Sequence, residues 1–282
     1  MTESVLETGT DDLLGKRVGH VGVLTFNRPE RLNALSTGIY EGFSATLPAI
    51  AADSDIRVLL LTGAGGAFCA GGDVKGMNDR NQETAQEPKP GSTQEAADQA
   101  TAYLRTRQNM VSLALRNLPQ PVVAALPGPA AGAGLSIALA ADLRIAAERA
   151  ILTTAFSSIG ASGDFGGSWF LTRLLGSAKA KELYFMSPRL RATEAEALGL
   201  VNRVMADEGF EDAALDYCHE LANRPPIALR YIKENINRAE TVGLADALNA
   251  EAPAMVRTMA SQDHREAAAA FVEKRPAVFR GR

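Results

Sequence analysis

RVLLLTGAGGAFCAGGDVKGM, residues 57–77, sets an apolar run against a turn of small residues that ends on an acid. The aliphatic and β-branched side chains of RVLLLTGAG predict a buried strand. Ala70, Gly71 and Gly72 stand at its exit, where small residues leave the backbone N–H groups open to a ligand. A tight turn that simply needs glycine is the plainer reading of the same stretch. Upstream, HVGVLTFNRP (20–29) predicts a strand that stops at Pro29. Between the two strands, LSTGIYEGFSATLPAIAAD (35–53) has helical spacing and a helix start near Ser36, a good N-cap. Strand, helix, strand is the order of a crossover unit on a largely parallel sheet, so the fold class is α/β.

Downstream, NDRNQETAQEPKPGSTQEAAD (78–98) is polar and short of apolar anchors, and reads as a mobile surface segment. A helix over 100–118 follows, then a strand in PQPVVAALPG (119–128) and a glycine-rich turn entering a buried helix in PAAGAGLSIALAAD (129–142). LRIAAERAILTTAF (143–156) supplies one or two more strands. After Gly176 the chain turns helical: TEAE (193–196) reads as a capping box, two helical segments span 211–239, and a long Ala-rich helix runs toward Phe271. No internal repeat is visible.

The 282 residues, 46% hydrophobic and 22% charged, suit a globular chain with a full core. A net charge of −4 carries no basic excess, which argues against nucleic acid and against an anionic membrane surface. His20, His219 and His264 lie far apart, and Cys69 and Cys218 have no metal-ligand or disulfide spacing. Cys69 is therefore read as a packing residue, and the cysteine usage as that of a reduced, cytoplasmic protein. The acidic start, MTESVLETGTDD, has no apolar core of a signal peptide, and no apolar stretch is long enough to span a bilayer.

Two strand-to-turn-to-helix junctions carry the chemistry, FCAGGD (68–73) and GPAAGAGLS (128–136). Both lie at the carboxyl ends of predicted parallel strands, where ligands bind in open α/β sheets. The N–H groups of Gly72 and Ala133 would be unhindered there, and a pair of backbone donors is what an oxyanion hole needs. A dinucleotide site is the rival, but GAGLSI (132–137) and GAGGAF (63–68) both lack the third glycine of its fingerprint.

LTFNRPERLNALS (24–36), GAFCAGGDVKGM (66–77), PVVAALPGPAAGAGLSIALAADLRIA (121–146) and SGDFGGSWFLTRLLG (162–176) resemble, in order, the landmark segments of the crotonase (enoyl-CoA hydratase/isomerase) superfamily. FVEKRPAVF (271–279) resembles its C-terminal segment, so the likeness runs from about residue 18 to the end. The resemblance implies an α/β crotonase-like core of repeated ββα turns with a helical C-terminal region that mediates trimerisation. Residues 1–15 would then be a flexible N-terminal tail, 16–205 the core with the CoA and catalytic sites, and 206–282 the helical region. It also implies an acyl-CoA thioester whose carbonyl lies between the Gly72 and Ala133 N–H groups. Arg31, Leu32, Ala34, Ala70 and Asp73 would hold the CoA, with Phe271 and Lys274 approaching it, often from a neighbouring subunit. Coenzyme A enters as part of the substrate, no other cofactor or metal is implied, and the assembly would be a homotrimer or a dimer of trimers.

Hydratases of the family carry two carboxylates, and neither is present here. The first falls on Ser136 and the second on Ala155. Serine without a partner base cannot act as a carboxylate does. Asp164, in SGDFGGSW, resembles the aspartate of a P-D-x-G-G variant found in epoxyphenylacetyl-CoA isomerases, with Gly163 in place of the proline. Apolar neighbours would raise its pKa, and it is equally placed to cap the helix that follows. One carboxylate suffices to move a proton between carbons, so allylic isomerisation of an enoyl-CoA is the favoured reaction. Hydration, with a water or Ser136 standing in, is the alternative. A non-catalytic acyl-CoA-binding homologue, or another reaction sharing the oxyanion hole, is a further one. Segment 78–110 is expected over the acyl pocket, with Tyr103, Phe165 and Trp169 as candidate lining.

Overall fold

A computed structural model of the chain describes residues 2–73 and 93–282. The expected cover over 78–92 lies outside the described residues. Its central sheet joins seven strands, in spatial order β1 (Glu3–Val5), β2 (Leu13–Val18), β3 (Val21–Phe26), β4 (Val58–Gly63), β5 (Val122–Leu126), β7 (Leu143–Ala147) and β10 (Arg203–Met205). From β3 to β10 every pairing is parallel, and the β1–β2 and β2–β3 pairs are antiparallel. A smaller sheet of β6 (Ala130–Ala131), β8 (Ile151–Thr153) and β9 (Leu190–Arg191) stands over the carboxyl ends of the first.

The parallel strands are apolar on both faces because both are covered. Leu24, Phe26, Leu59, Leu61, Ala124 and Leu126 face the larger core, with helix α1 (Thr37–Ala52) against them. Their alternates Val23, Val58, Leu60, Val123 and Ala125 face a second core. Phe26 meets Phe43 and Phe68 edge-on, with ring centroids 5.7 and 5.3 Å away. Ser36 caps α1 as expected: its Oγ accepts the Ile39 N–H at 3.2 Å and donates to Asp12 Oδ2 at 2.5 Å. Ser36→Ala should lower stability by about 1 kcal/mol, read as a shifted denaturant midpoint with unchanged slope.

Helix α2 (Thr93–Gln108) continues through a π-helical turn (Asn109–Leu113) into α3 (Ala114–Asn117). The buried helix α4 (Ala133–Ala140) follows β6, and α5 (Gly167–Met186), kinked at Gly176, packs on it. Then come α6 (Ala192–Ala197), α7 (Phe210–Ala222), α8 (Pro226–Ala239), α9 (Leu244–Met259) and α10 (Gln262–Glu273).

Three expectations are corrected. The tail over 1–15 contributes β1 and the start of β2, because β1 pairs along the outer edge of β2 and Leu13 is fully buried. The capping box belongs to Arg191, whose backbone N–H is accepted by Glu194 Oε2 at 2.7 Å, so α6 begins before Thr193. The long Ala-rich helix is two, parted at Ala260–Ser261, where the Ser261 side chain caps α10 by accepting the His264 N–H. Helix α7, within the helical region expected over 206–282, buries Phe210, Ala214 and Cys218 against the second face of the central sheet.

Candidate active site

Two turns lock together where the strands end. The Cys69 carbonyl accepts the Ala131 N–H at 3.0 Å, and Cys69 and Ala130 form a parallel bridge. Gly71 has a φ of +84°, and a Cβ there would lie 2.6 Å from the Ala131 carbonyl oxygen and 3.0 Å from the Ala133 nitrogen. A Cβ on Gly134 would fall on the Cys69 carbonyl oxygen. The small residues are thus dictated by one backbone lying on another. Ala133 is the first residue of α4, where the helix dipole favours negative charge. Among the described residues neither the Gly72 N–H nor the Ala133 N–H has an acceptor.

The loop after β3 packs on the first turn. Leu35 N–H donates to the Gly71 carbonyl at 2.8 Å, and Ala70 N–H to the Leu32 carbonyl at 2.9 Å. Buried Asn33 ties the loop down through the Ala64 and Ala67 carbonyls. Leu32 and Ala70 are thereby joined, with Arg31 and Leu32 exposed and Ala34 buried. Among the described residues no bond joins Phe271 or Lys274 to these four. Phe271, on α10, lines a cavity of about 520 Å³ with Glu220, Asn223 and Arg224 of α7 and its end, and with the C-terminal tail.

Asp164 lies in the loop that leads into α5. It is not the helix cap: that position is Gly166, in the left-handed region, and no side chain caps the helix. Only the Asp164 backbone carbonyl bonds there, accepting the Gly167 N–H at 3.2 Å. Its Oδ1 is buried without a hydrogen-bond partner, and burial pushes its carboxyl up to about 6. Next to it Phe165 has a φ of +50°, a costly conformation for a bulky residue. Two contacts hold it: Gln108 Oε1 accepts the Phe165 N–H at 3.0 Å, and Tyr40 stacks on the ring at 6.0 Å.

Ser136 is 2% exposed and donates from Oγ to the Gly132 carbonyl at 3.3 Å. Ala155 brings no titratable group, in a left-handed turn after β8. Cys69 is fully buried, and burial pushes its thiol up to about 12, which suits the packing role. Trp169 lies under the Arg116 and Arg173 guanidinium groups in a cavity of about 310 Å³ that Lys233 and Glu240 also line. Tyr103 is half-exposed beneath Arg107, whose guanidinium also lies 4.3 Å over Tyr40.

Tyr40, Gln108 and Tyr184 escape the sequence reading. Tyr184 feels the Asp164 charge, and its hydroxyl lies beside Ser136 Oγ. Nothing in the spacing of these residues singles them out, because each is joined to the site by a contact between distant segments. Among the described residues no group of three His, Cys, Asp or Glu side chains could hold a metal, and no helix is long and apolar enough to cross a membrane.

A family model described as enoyl-CoA hydratase/isomerase matches residues 16–282. The chain is 38% identical to the 1,2-epoxyphenylacetyl-CoA isomerase of Escherichia coli, over 93% of this chain and 95% of that one. It is 32% identical to the short-chain-enoyl-CoA hydratase of Clostridium acetobutylicum, over 94% and 96% of the two chains. Among solved structures, an enoyl-CoA hydratase from a Polaromonas species superposes with a TM-score of 0.83 at 36% identity, covering 95% of this chain and 99% of that one.

Proposed function

The chain belongs to the enoyl-CoA hydratase/isomerase family, and from that footing we propose that it moves the double bond of an enoyl-CoA thioester, with Asp164 as the one acid–base group. The observation that carries this reading is the buried, unpartnered Asp164 Oδ1 beside two glutamate positions held by Ser136 and Ala155. The Asp164 carboxylate takes a proton from C2 of a 3-enoyl thioester. The electron pair moves onto the thioester oxygen, giving a dienolate held by the Gly72 and Ala133 N–H groups. Protonated Asp164 then returns the proton at C4, which leaves the 2-enoyl product. No water is consumed, so no second carboxylate is needed to activate one.

A contiguous path of contacts supports these roles. Gly71 lies against Ala133, Ser136 is on the first turn of α4, Gly167 lies against Ser136, and the Asp164 carbonyl accepts the Gly167 N–H. Arg31, Leu32, Ala34, Ala70 and Asp73 would hold the nucleotide end of CoA. Phe271 and Lys274 would reach it from a second subunit. Exposed apolar side chains on α9 and α10, among them Met255, Val256 and Val272, are what the contacts of a trimer or a dimer of trimers would cover. Light scattering on the purified protein tests that arrangement, and a monomer at micromolar concentration would overturn it.

Paired assays of 3-enoyl-CoA isomerisation and 2-enoyl-CoA hydration on one sample test the reaction. Isomerisation with negligible hydration is expected, and efficient hydration would overturn the single-acid reading. The pH profile follows from the raised pKa. Asp164 must be ionised to take the first proton, and burial pushes its carboxyl up to about 6. Below that pH kcat/KM should fall about tenfold per unit, and above it the acid limb should level off. An acid limb near pH 4 would mean that some other carboxylate is the base.

A further inference from the structure

Gly163 and Gly167, on either side of Asp164, both leave room for one side chain. A Cβ on Gly163 would lie 2.8 Å from the Tyr184 ring and 3.2 Å from its hydroxyl. A Cβ on Gly167 would lie 2.5 Å from the Tyr184 hydroxyl and would fall on Ser136 Oγ. The hydroxyl and Oγ thus share one small space beside the first turn of α5. Tyr184 is braced there by its ring, which stacks on Phe156 with centroids 5.9 Å apart and planes 5° from parallel.

Ser136 links that space to the oxyanion turn. The Tyr184 hydroxyl lies beside Ser136 Oγ, both within 2.5 Å of the point a Gly167 Cβ would take. Ser136 Oγ donates at 3.3 Å to the Gly132 carbonyl, which also accepts the Ser136 N–H at 3.0 Å. A hydroxyl has one proton to give, so a serine that donates to Gly132 is free to accept from the phenol. Burial pushes the Tyr184 hydroxyl up to about 12, so it keeps the proton it donates. The Gly132 carbonyl and the Ala133 N–H are two ends of one planar peptide unit.

We infer that Tyr184, acting through Ser136, is a positioning residue that aims and strengthens the Ala133 N–H toward the thioester oxygen. The inference rests on the donor role given to Ala133 above. Fixing the carbonyl end of a rigid peptide fixes the direction of its N–H. Hydrogen bonds accepted by that carbonyl also polarise the N–H, since linked hydrogen bonds reinforce one another. Ser136 thereby gains a use at a position where it cannot serve as a base: it links the phenol to the donor peptide. Asp164 is the charged group that also faces Tyr184, so a direct effect of the phenol on the acid is the competing use.

The test uses Tyr184→Phe, Ser136→Ala and the double variant, each first checked by thermal melting. Phenylalanine keeps the stack on Phe156, so the fold should persist. Two readouts are taken: kcat for isomerisation, and the infrared carbonyl stretch of a bound, isotope-labelled enoyl thioester. Each single variant should lower kcat about threefold to tenfold, the effect of one neutral hydrogen bond, with KM little changed. The double variant should lose no more than either single one, and the bound carbonyl band should move back toward its solution frequency. Losses that add in the double variant would overturn the relay. An acid limb that moves while the carbonyl band stays put would overturn it too, by assigning Tyr184 to Asp164. A wild-type band that does not shift on binding would instead overturn the donor role of Ala133, and the relay with it.

Discussion

Asp164→Asn should lower isomerisation about 10²- to 10⁴-fold, the range for loss of a positioned acid–base group, while CoA binding persists. Asparagine is nearly isosteric and cannot take a proton from carbon at neutral pH. The variant should nonetheless be no less stable than the wild type at pH 7. The sign follows from linkage: burial raises the Asp164 carboxyl to about 6, so between its unfolded and folded pKa values the folded state binds the extra proton. Stability from this group is therefore present at low pH and is lost as pH rises through about 6. A neutral side chain at that place removes the penalty. Single-turnover rates and denaturant melts on the same sample would check both halves. A variant that keeps the wild-type rate would remove Asp164 from the chemistry. One that is inactive and also unfolds at far lower denaturant would make it a structural residue instead.

Gly134→Ala should damage both the fold and the reaction. The added methyl would fall on the Cys69 carbonyl oxygen, and a backbone atom cannot swing aside as a flexible side chain can. The two turns would have to part, although the Cys69 carbonyl accepts the Ala131 N–H and Gly71 closes on Ala133 at the same place. Overpacking a buried site typically costs about 1–3 kcal/mol, and backbone contact puts this case toward the upper end. The shift also moves the Ala133 N–H relative to that of Gly72, and the loss of one oxyanion donor costs about 10²- to 10³-fold in kcat. Denaturant midpoints and kcat, measured below the onset of unfolding, separate the two effects. A wild-type rate in a folded Gly134→Ala would mean that the fit between the turns does not set the donors.

The parallel strands, the Ser36 cap and the two small-residue turns were legible along the chain, because each is a local property. Strand periodicity, a capping side chain and a run without Cβ atoms act over a few residues and leave their mark in residue order. Even the loss of the two hydratase glutamates could be read from single positions, Ser136 and Ala155. Tertiary structure decided the rest. Residues 3–5 look like polar tail, and only the open edge of β2 makes them a strand. The break at Ala260–Ser261 is hidden in an Ala-rich run that has helical propensity throughout, and the cap there selects it. Asp164 could as well have been a helix cap from its position; in the fold Gly166 takes the cap position of α5 and the Asp164 carboxylate makes no cap bond. Tyr184 shows the limit most plainly. It is one aromatic in a helix, and its meaning comes from Ser136, Gly163 and Gly167, brought to its hydroxyl by packing between α4 and α5 that no local pattern encodes.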